Sequence, residues 1–200
     1  MGISQRDINQ VYHSHGKISF LYDASHRLTN LRKAAAESLQ LEQGDSVLDI
    51  GCGTGLNFPF LHHLVGKNGK IAGIDISKNM LFGARKKIKK YRWGNIKLIL
   101  GDAANARFKP NTFDGVIATI SLSCIPNHLQ AISNGLFSLK RGKRMAIADG
   151  KHFSFKPLNL LMPLLRWSKS WDSNKNIIAD AKNAYPETSI TIREFALGSQ

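Results

Sequence analysis

The sequence predicts an α/β chain, a doubly wound and mostly parallel sheet with helices on both faces. Three observations predict it. Short apolar runs alternate with helical patterns along most of the chain, the signal of βα units. The first run leads directly into a turn with glycine at alternate positions. The second run ends on an aspartate, and the third leads into one two residues on.

Bulk properties set the frame. A chain of 200 residues suits one α/β domain. At 42% hydrophobic and 21% charged residues it can bury a core and does not read as disordered. Lys plus Arg number 28 against 14 Asp plus Glu, a formal charge of +14. Such an excess attracts nucleic acid, an anionic membrane face or acidic small molecules, and it also serves solubility. Two cysteines, Cys52 and Cys124, make no disulfide framework and point to a reducing compartment. The N-terminus opens on polar and charged residues, unlike a signal peptide. No run approaches the roughly 18 apolar residues of a spanning helix. The expectation is a cytoplasmic protein, soluble or peripheral at a membrane.

The elements follow in order. Residues 1–25 are irregular and partly helical, with Tyr12, Phe20 and Tyr22 as aromatics. Leu28, Leu31, Ala35 and Leu39 then recur at helical spacing, closed by Gly44. Ser46–Ile50 is the first strand and Gly51–Gly55 the glycine turn. Asn57–Val65 is a helix that tolerates Pro59 in its first turn and ends at Gly66. Lys70–Asp75 is the second strand. Ser77 caps a helix with Met80, Ala84 and Ile88 on one side. Ile96–Leu100, Gly115–Ile120 and Arg144–Ala148 are the third to fifth strands, with a helix Leu129–Leu139 between the last two. Beyond Lys151 the pattern changes. Leu158–Trp167 is an apolar patch broken by Pro163, Asp172–Ala184 is polar and partly helical, and Thr188–Phe195 alternates like an edge strand. The division is an N-terminal helical cover (1–45), a cofactor-binding core (46–150) and a C-terminal cover with edge strand (151–200).

The glycine turn decides the chemistry. In Val47-Leu48-Asp49-Ile50-Gly51-Cys52-Gly53-Thr54-Gly55 a buried strand meets three glycines and then a helix start. Glycine lets the backbone bend sharply and lets a ligand lie against it, and the helix start offers free N–H groups. A cofactor therefore belongs at this strand end. A dinucleotide fingerprint needs G-x-G-x-x-G, but Leu56 stands where its third glycine would be, so NAD and FAD are disfavoured. There is no G-x-x-x-x-G-K-[ST] loop and hence no P-loop site. Asp75 at the second strand end can accept both hydroxyls of a ribose. Asp102, in Gly101-Asp102-Ala103, can receive an amine hydrogen bond. A lone aspartate at such a place is ordinarily a turn former or a cap. The specificity lies in the set.

Residues 47–57 resemble the first motif of class I S-adenosylmethionine (SAM)-dependent methyltransferases, a Rossmann-like family. Ile71–Ser77 is similar to that family's second-strand motif and Leu100–Ala103 to its third, so the likeness spans roughly residues 20–150. The resemblance implies that Gly51, Gly53 and Gly55 pass under the methionine part of SAM. It implies that Asp49 orients that end, Asp75 holds the ribose, Asp102 reaches the adenine amine, and Ile76 and Met80 pack the base. Asn57, Ala103 and Thr119 complete the implied cofactor set, with S-adenosylhomocysteine as product and no metal. Tyr22-Asp23 resembles the Tyr-Asp pair preceding the first motif in quinone C-methyltransferases and bacterial phospholipid N-methyltransferases. In that branch the N-terminal segment folds over the pocket.

The acceptor side is less determined. Methyl transfer from a sulfonium is an in-line displacement that depends on positioning and water exclusion. A base is needed only where the acceptor must lose a proton. The acceptor site is expected at Ser121–His128, with Tyr22 and His128 as the weak candidates for a catalytic role. For Tyr22 the competing reading is core packing, and for His128 a helix-start residue. Cys124 reads as a small hydrophobe, and two cysteines, one inside the turn, argue against an arsenic enzyme. Family members often have Pro-Gly-Gly near Arg141–Lys143, where this chain has a basic cluster. They also close the sheet with a hairpin of which Thr188–Phe195 supplies one strand. Arg85–Arg92 is the densest charge run and reads first as a solvated face.

Three readings stand from sequence: a methyltransferase acting on a small-molecule or lipid-like acceptor (a phospholipid amine or quinone favoured), an RNA methyltransferase, and a non-catalytic SAM-binding module. Basic residues around Leu158–Trp167 suit an anionic membrane surface, though the same segment can roof the acceptor pocket. Against RNA stands the lack of an Asn/Asp-Pro-Pro-Tyr segment and of an appended RNA-binding module.

Overall fold

The computed structural model describes residues 26–149 and 175–187, with side chains of the first helix from Thr29 onward. Within them the chain forms α1 (His26–Ser38), β1 (Ser46–Ile50), α2 (Phe58–Val65), β2 (Lys70–Asp75), α3 (Lys78–Tyr91), β3 (Ile96–Leu100), β4 (Phe113–Thr119), a 3-10 turn (Leu122–Cys124), α4 (His128–Ser138), β5 (Leu139–Ala148) and α5 (Ile177–Ala184). The strands make one parallel sheet in the order β3-β2-β1-β4-β5. The order reverses between β1 and β4, so the crevice for a ligand opens where the glycine turn sits.

Strand alternation distributes the core over both faces. Val47, Ile71 and Ile117 pack with Ala36, Leu39, Phe58, Leu61, Leu81 and Ala84 of α1, α2 and α3 and their flanks. Leu48, Ile50, Ile74 and Val116 pack with Ala131 and Ile132 of α4 and Ile177 and Ala181 of α5. Every residue of β4 is buried, as expected of a central parallel strand covered on both sides. Local signals act as read. Ser77 Oγ accepts from the Met80 N–H, Pro59 sits in the first turn of α2, and Gly66 closes that helix with φ 65°.

Four elements differ in their bounds from expectation. The helix expected at Asn57–Val65 begins at Phe58, with Asn57 in the cap position. The fourth strand runs Phe113–Thr119 rather than Gly115–Ile120, because Ile120 turns the chain out with φ 52°. The helix runs His128–Ser138, with Asn127 as its cap, rather than Leu129–Leu139. The fifth strand begins at Leu139, not Arg144. Between these two residues the pairing partner on β4 advances only from Phe113 to Gly115, so Lys140–Lys143 form a bulge around Gly142 (φ 74°). The basic cluster that reads as a connection is thus part of the strand. It is pinned there by Asp114, whose carboxylate takes Lys140 Nζ at 2.9 and 3.0 Å and lies 3.7 Å from Lys143 Nζ. The helical part of Asp172–Ala184 is α5. Tyr22, Leu158–Trp167 and the expected edge strand Thr188–Phe195 lie outside the described residues.

Candidate cofactor and acceptor site

Backbone geometry explains the glycines. Gly51 has φ 65°, and a Cβ there would lie 2.5 Å from the Ser121 Cβ. The close approach lets Ser121 Oγ donate to the Ile50 carbonyl at 2.9 Å, joining the ends of β1 and β4. Gly53 has φ 54° with open space where its Cβ would stand. That combination, a left-handed bend facing a void, is what a ligand lying against the backbone requires. Gly55 is needed for a different reason, since a Cβ would strike the Phe58 ring at 2.4 Å.

Asp75 organises the turn from the next strand. Its Oδ2 accepts the Gly53 N–H and its Oδ1 the Ser77 N–H, each at 2.8 Å. Burial pushes its carboxyl up, and the two backbone donors partly offset this. Each oxygen keeps a lone pair, so the carboxylate can still accept ribose hydroxyls. Ile76 and Met80 are half-buried beside it, and Ala103 is buried. Asp102 Oδ1 accepts the Ala104 N–H at 2.9 Å and Oδ2 the Asn105 amide at 2.8 Å, so its first job is to hold the loop after β3.

Asp49 is fully buried at the end of β1. Its Oδ1 accepts Asn57 Nδ2 at 2.9 Å, while Oδ2 has no partner among the described residues. Asn57 Oδ1 in turn accepts Arg32 Nη1 at 3.1 Å and the Thr119 hydroxyl at 3.0 Å, and Thr119 Oγ1 also accepts from Arg32. Asn57 and Thr119, expected to touch the cofactor directly, are engaged in this network. Burial pushes the Asp49 carboxyl up to about 7, against the opposing pull of Asn57 and the Arg32 charge. The same burial, with Asp49 and Asp75 nearby, pushes the Cys52 thiol up and keeps it protonated and inert.

Arg32 is the residue that sequence reasoning missed. It lies on α1, four residues after Leu28 and three before Ala35, on the face read as apolar. A cation among such positions is the signal that identifies it.

In the segment expected to border the acceptor, Ser123 is fixed by Asp149, which takes both its N–H (2.9 Å) and its hydroxyl (2.8 Å). His128 is buried, with Nε2 2.9 Å from Asp180 Oδ2 and Nδ1 without a partner among the described residues. Lys175 Nζ donates to the Ile125 carbonyl at 2.8 Å and the Tyr185 hydroxyl to the Leu129 carbonyl at 3.2 Å. Helix α5 and its flanks therefore clip onto the segment from Ile125 to Leu129. Cys124 is half-buried. No group of residues able to hold a metal ion occurs among the described residues.

A parallel sheet in this order, with a glycine turn, a buried acid beside it and a second acid at the next strand end, defines a class I SAM-dependent methyltransferase fold. Residues 41–194 match the family model described as a methyltransferase domain, and the chain belongs to that family. Family membership implies SAM as methyl donor. The residues fit it, since the void over Gly53 and the unpartnered buried oxygen of Asp49 offer a place for an amino-acid end bearing an ammonium.

Among curated proteins, the chain is 31% identical over 139 residues to a demethylmenaquinone methyltransferase from Listeria welshimeri, covering 66% of this chain and 59% of that protein. It thus spans about three-fifths of that relative's length. Among solved structures, a SAM-dependent methyltransferase from Methanococcus maripaludis, itself of uncertain assignment, aligns with a TM-score of 0.65 at 21% identity. That alignment covers 99% of this chain and 92% of the other. A similarly assigned methyltransferase from Bacillus halodurans aligns at 0.63 and 19%, over 78% and 67%. Both show the fold alone.

Proposed function

We propose that this chain transfers a methyl group from SAM to a quinone-type, apolar acceptor. The observation that supports this acceptor is the 31% identity over 139 residues to a demethylmenaquinone methyltransferase. The resemblance of Tyr22-Asp23 to the same branch agrees with it.

SAM supplies, when bound, a methyl group already activated on a sulfonium. The protein's part is placement. The void above Gly53 takes the amino-acid end. Asp49 Oδ2 faces its ammonium, held in orientation by Asn57, which Arg32 and Thr119 hold in turn. Asp75 grips the ribose while bracing the turn through Gly53 and Ser77, and Asp102 lies within the loop expected at the adenine. The segment Ser121–His128, clipped by α5, borders the acceptor. Positioning of this kind can supply much of the rate of a displacement. His128, with its unpartnered Nδ1, is the candidate to take a proton from an acceptor that must lose one.

The test is incubation of the purified full chain with methyl-labelled SAM and a short-tailed demethylmenaquinone, read by mass spectrometry. Label on the quinone ring is the expected result. Label on a phospholipid amine or on RNA in parallel incubations would move the acceptor. Tight SAM binding with no labelled product from any of them would leave a SAM-binding module.

A further inference from the structure

Helix α3 carries a face that neither the cofactor turn nor the acceptor segment uses. Its inner side is Leu81 and Ala84, both buried, with Ile88 half-buried. At 100° per residue, Lys78, Phe82, Arg85, Lys86, Lys89 and Lys90 fall together on the other side. All six are exposed. The stripe runs for about 18 Å, twelve helical rises. No acid occurs anywhere in the helix. Among the described residues, none of the five cations in this stripe forms an ion pair. Phe82 stands at the middle of the face, 58% exposed, with Lys86 Nζ 4.5 Å from its ring centroid.

We propose that this face of α3 docks on the anionic headgroups of a phospholipid bilayer. A flat array of phosphates complements a linear array of unpaired cations. The long stems of lysine and arginine can lie along the surface while an aromatic ring enters the headgroup region. A helix with an apolar inner side packed on the sheet and a cationic outer side is fixed parallel to such a plane. Single-stranded RNA is the polyanion to compare. It needs open aromatic faces on which bases stack. Here Tyr91 and Trp93 already stack on each other (4.9 Å, 25°), Trp93 also meets His62 at 5.6 Å, and Lys86 covers Phe82. The face offers a base at most the outer side of Tyr91, exposed but already stacked on Trp93, against a continuous row of charge, which favours the bilayer. Docking here does not rest on the acceptor proposed above, because vesicle binding requires no methyl transfer and either reading can fail alone.

The experiment is flotation of the full chain with vesicles of phosphatidylglycerol and phosphatidylcholine, against vesicles of phosphatidylcholine alone. Binding to the anionic vesicles only, weakened as salt rises beyond about 0.1 M, is expected. Each basic residue near such a surface strengthens binding about fivefold. The triple variant R85E/K86E/K89E should therefore lose binding by about a hundredfold or more. Phe82→Ser should weaken it several-fold. Circular dichroism and SAM calorimetry should match the parent protein in both variants, since none of these residues belongs to the cofactor site. Equal binding to neutral vesicles, or full binding by a folded triple variant, would overturn the proposal. So would an oligoribonucleotide that binds more tightly than the vesicles and loses affinity in the same variant.

Discussion

Three buried or nearly buried aspartates of one sheet behave in opposite ways. At the carboxyl ends of β1 and β2, Asp49 and Asp75 are held mainly by neutral donors, and burial pushes their carboxyls up. At the other end of the sheet, Asp114 at the start of β4 has little exposed surface but lies nearer the rim. There, burial is outweighed by the Lys140 hydrogen bond, the Ser46 N–H and the charges of Lys140 and Lys143, which hold the carboxyl down. One pole meets both oxygens of its carboxylate with donors, a lysine ammonium among them. The other leaves an oxygen and several lone pairs unspent, which stability alone does not favour. The unspent capacity lies at the pole where the cofactor is proposed to bind.

The largest expected effect follows from Asp49. An acid raised from 3.8 to about 7 in the folded chain keeps its proton where the unfolded chain has lost it. Stability therefore falls as pH rises from about 4 to 7, by up to ~4 kcal/mol before relaxation. Asp49→Asn retains an oxygen for the Asn57 amide and has no proton to lose. Its midpoint of thermal unfolding should decline less over that range than that of the parent, the remaining fall coming from Asp75. A cationic amino-acid end favours the ionised carboxylate, so SAM binding near pH 6.5 should release a proton. Calorimetry in buffers of different ionisation enthalpy reads this release directly, and buffer-independent heats would contradict it.

Next in size is Asp75→Ala, which strips the Gly53 and Ser77 N–H groups of their acceptor and removes the proposed ribose grip. A loss of about a hundredfold in SAM affinity is expected, about 2.7 kcal/mol. Asp114→Ala sharpens the contrast from the other pole. It should cost about 1–2 kcal/mol of stability while leaving SAM affinity unchanged. A carboxyl held below its ordinary value stabilises above the unfolded pKa and stops doing so as pH falls. The variant and parent should therefore converge in stability under acid conditions. A drop in SAM affinity for Asp114→Ala would show that the two poles are coupled.

The same contrast explains what could be read in the sequence. The glycine turn, Asp75 and the strands β1 to β3 are local signals, with apolar runs and turn residues adjacent in the chain, and their bounds match the structure residue for residue. Long-range pairings were not legible. The start of β5 is hidden in the sequence because Lys140–Lys143 look like a solvated connection. Only Asp114, on another strand, makes them a pinned bulge. Arg32 is not legible because a cation in an amphipathic helix ordinarily faces water, and its partners Asn57 and Thr119 come from two other parts of the chain. The clip of α5 on the acceptor segment joins Asp180 to His128 across 52 positions, a separation no local pattern spans.

That clip yields the smallest effect. Asp180 is part-exposed and His128 buried, so the pair is screened on one side only. Asp180→Asn keeps the shape and removes the charge, and a loss of about 1 kcal/mol is expected. His128→Asn should cost a similar amount. A double-mutant cycle should recover most of that energy as coupling between the two. For a latch, methyl transfer by both variants would track the folded fraction. A His128→Asn protein that is folded and binds SAM, yet transfers no methyl while Asp180→Asn retains activity with a shifted pH profile, would place the imidazole at the acceptor. In that case Nδ1, buried and unpartnered, is the atom facing the reaction, and Asp180 sets its tautomer through Nε2.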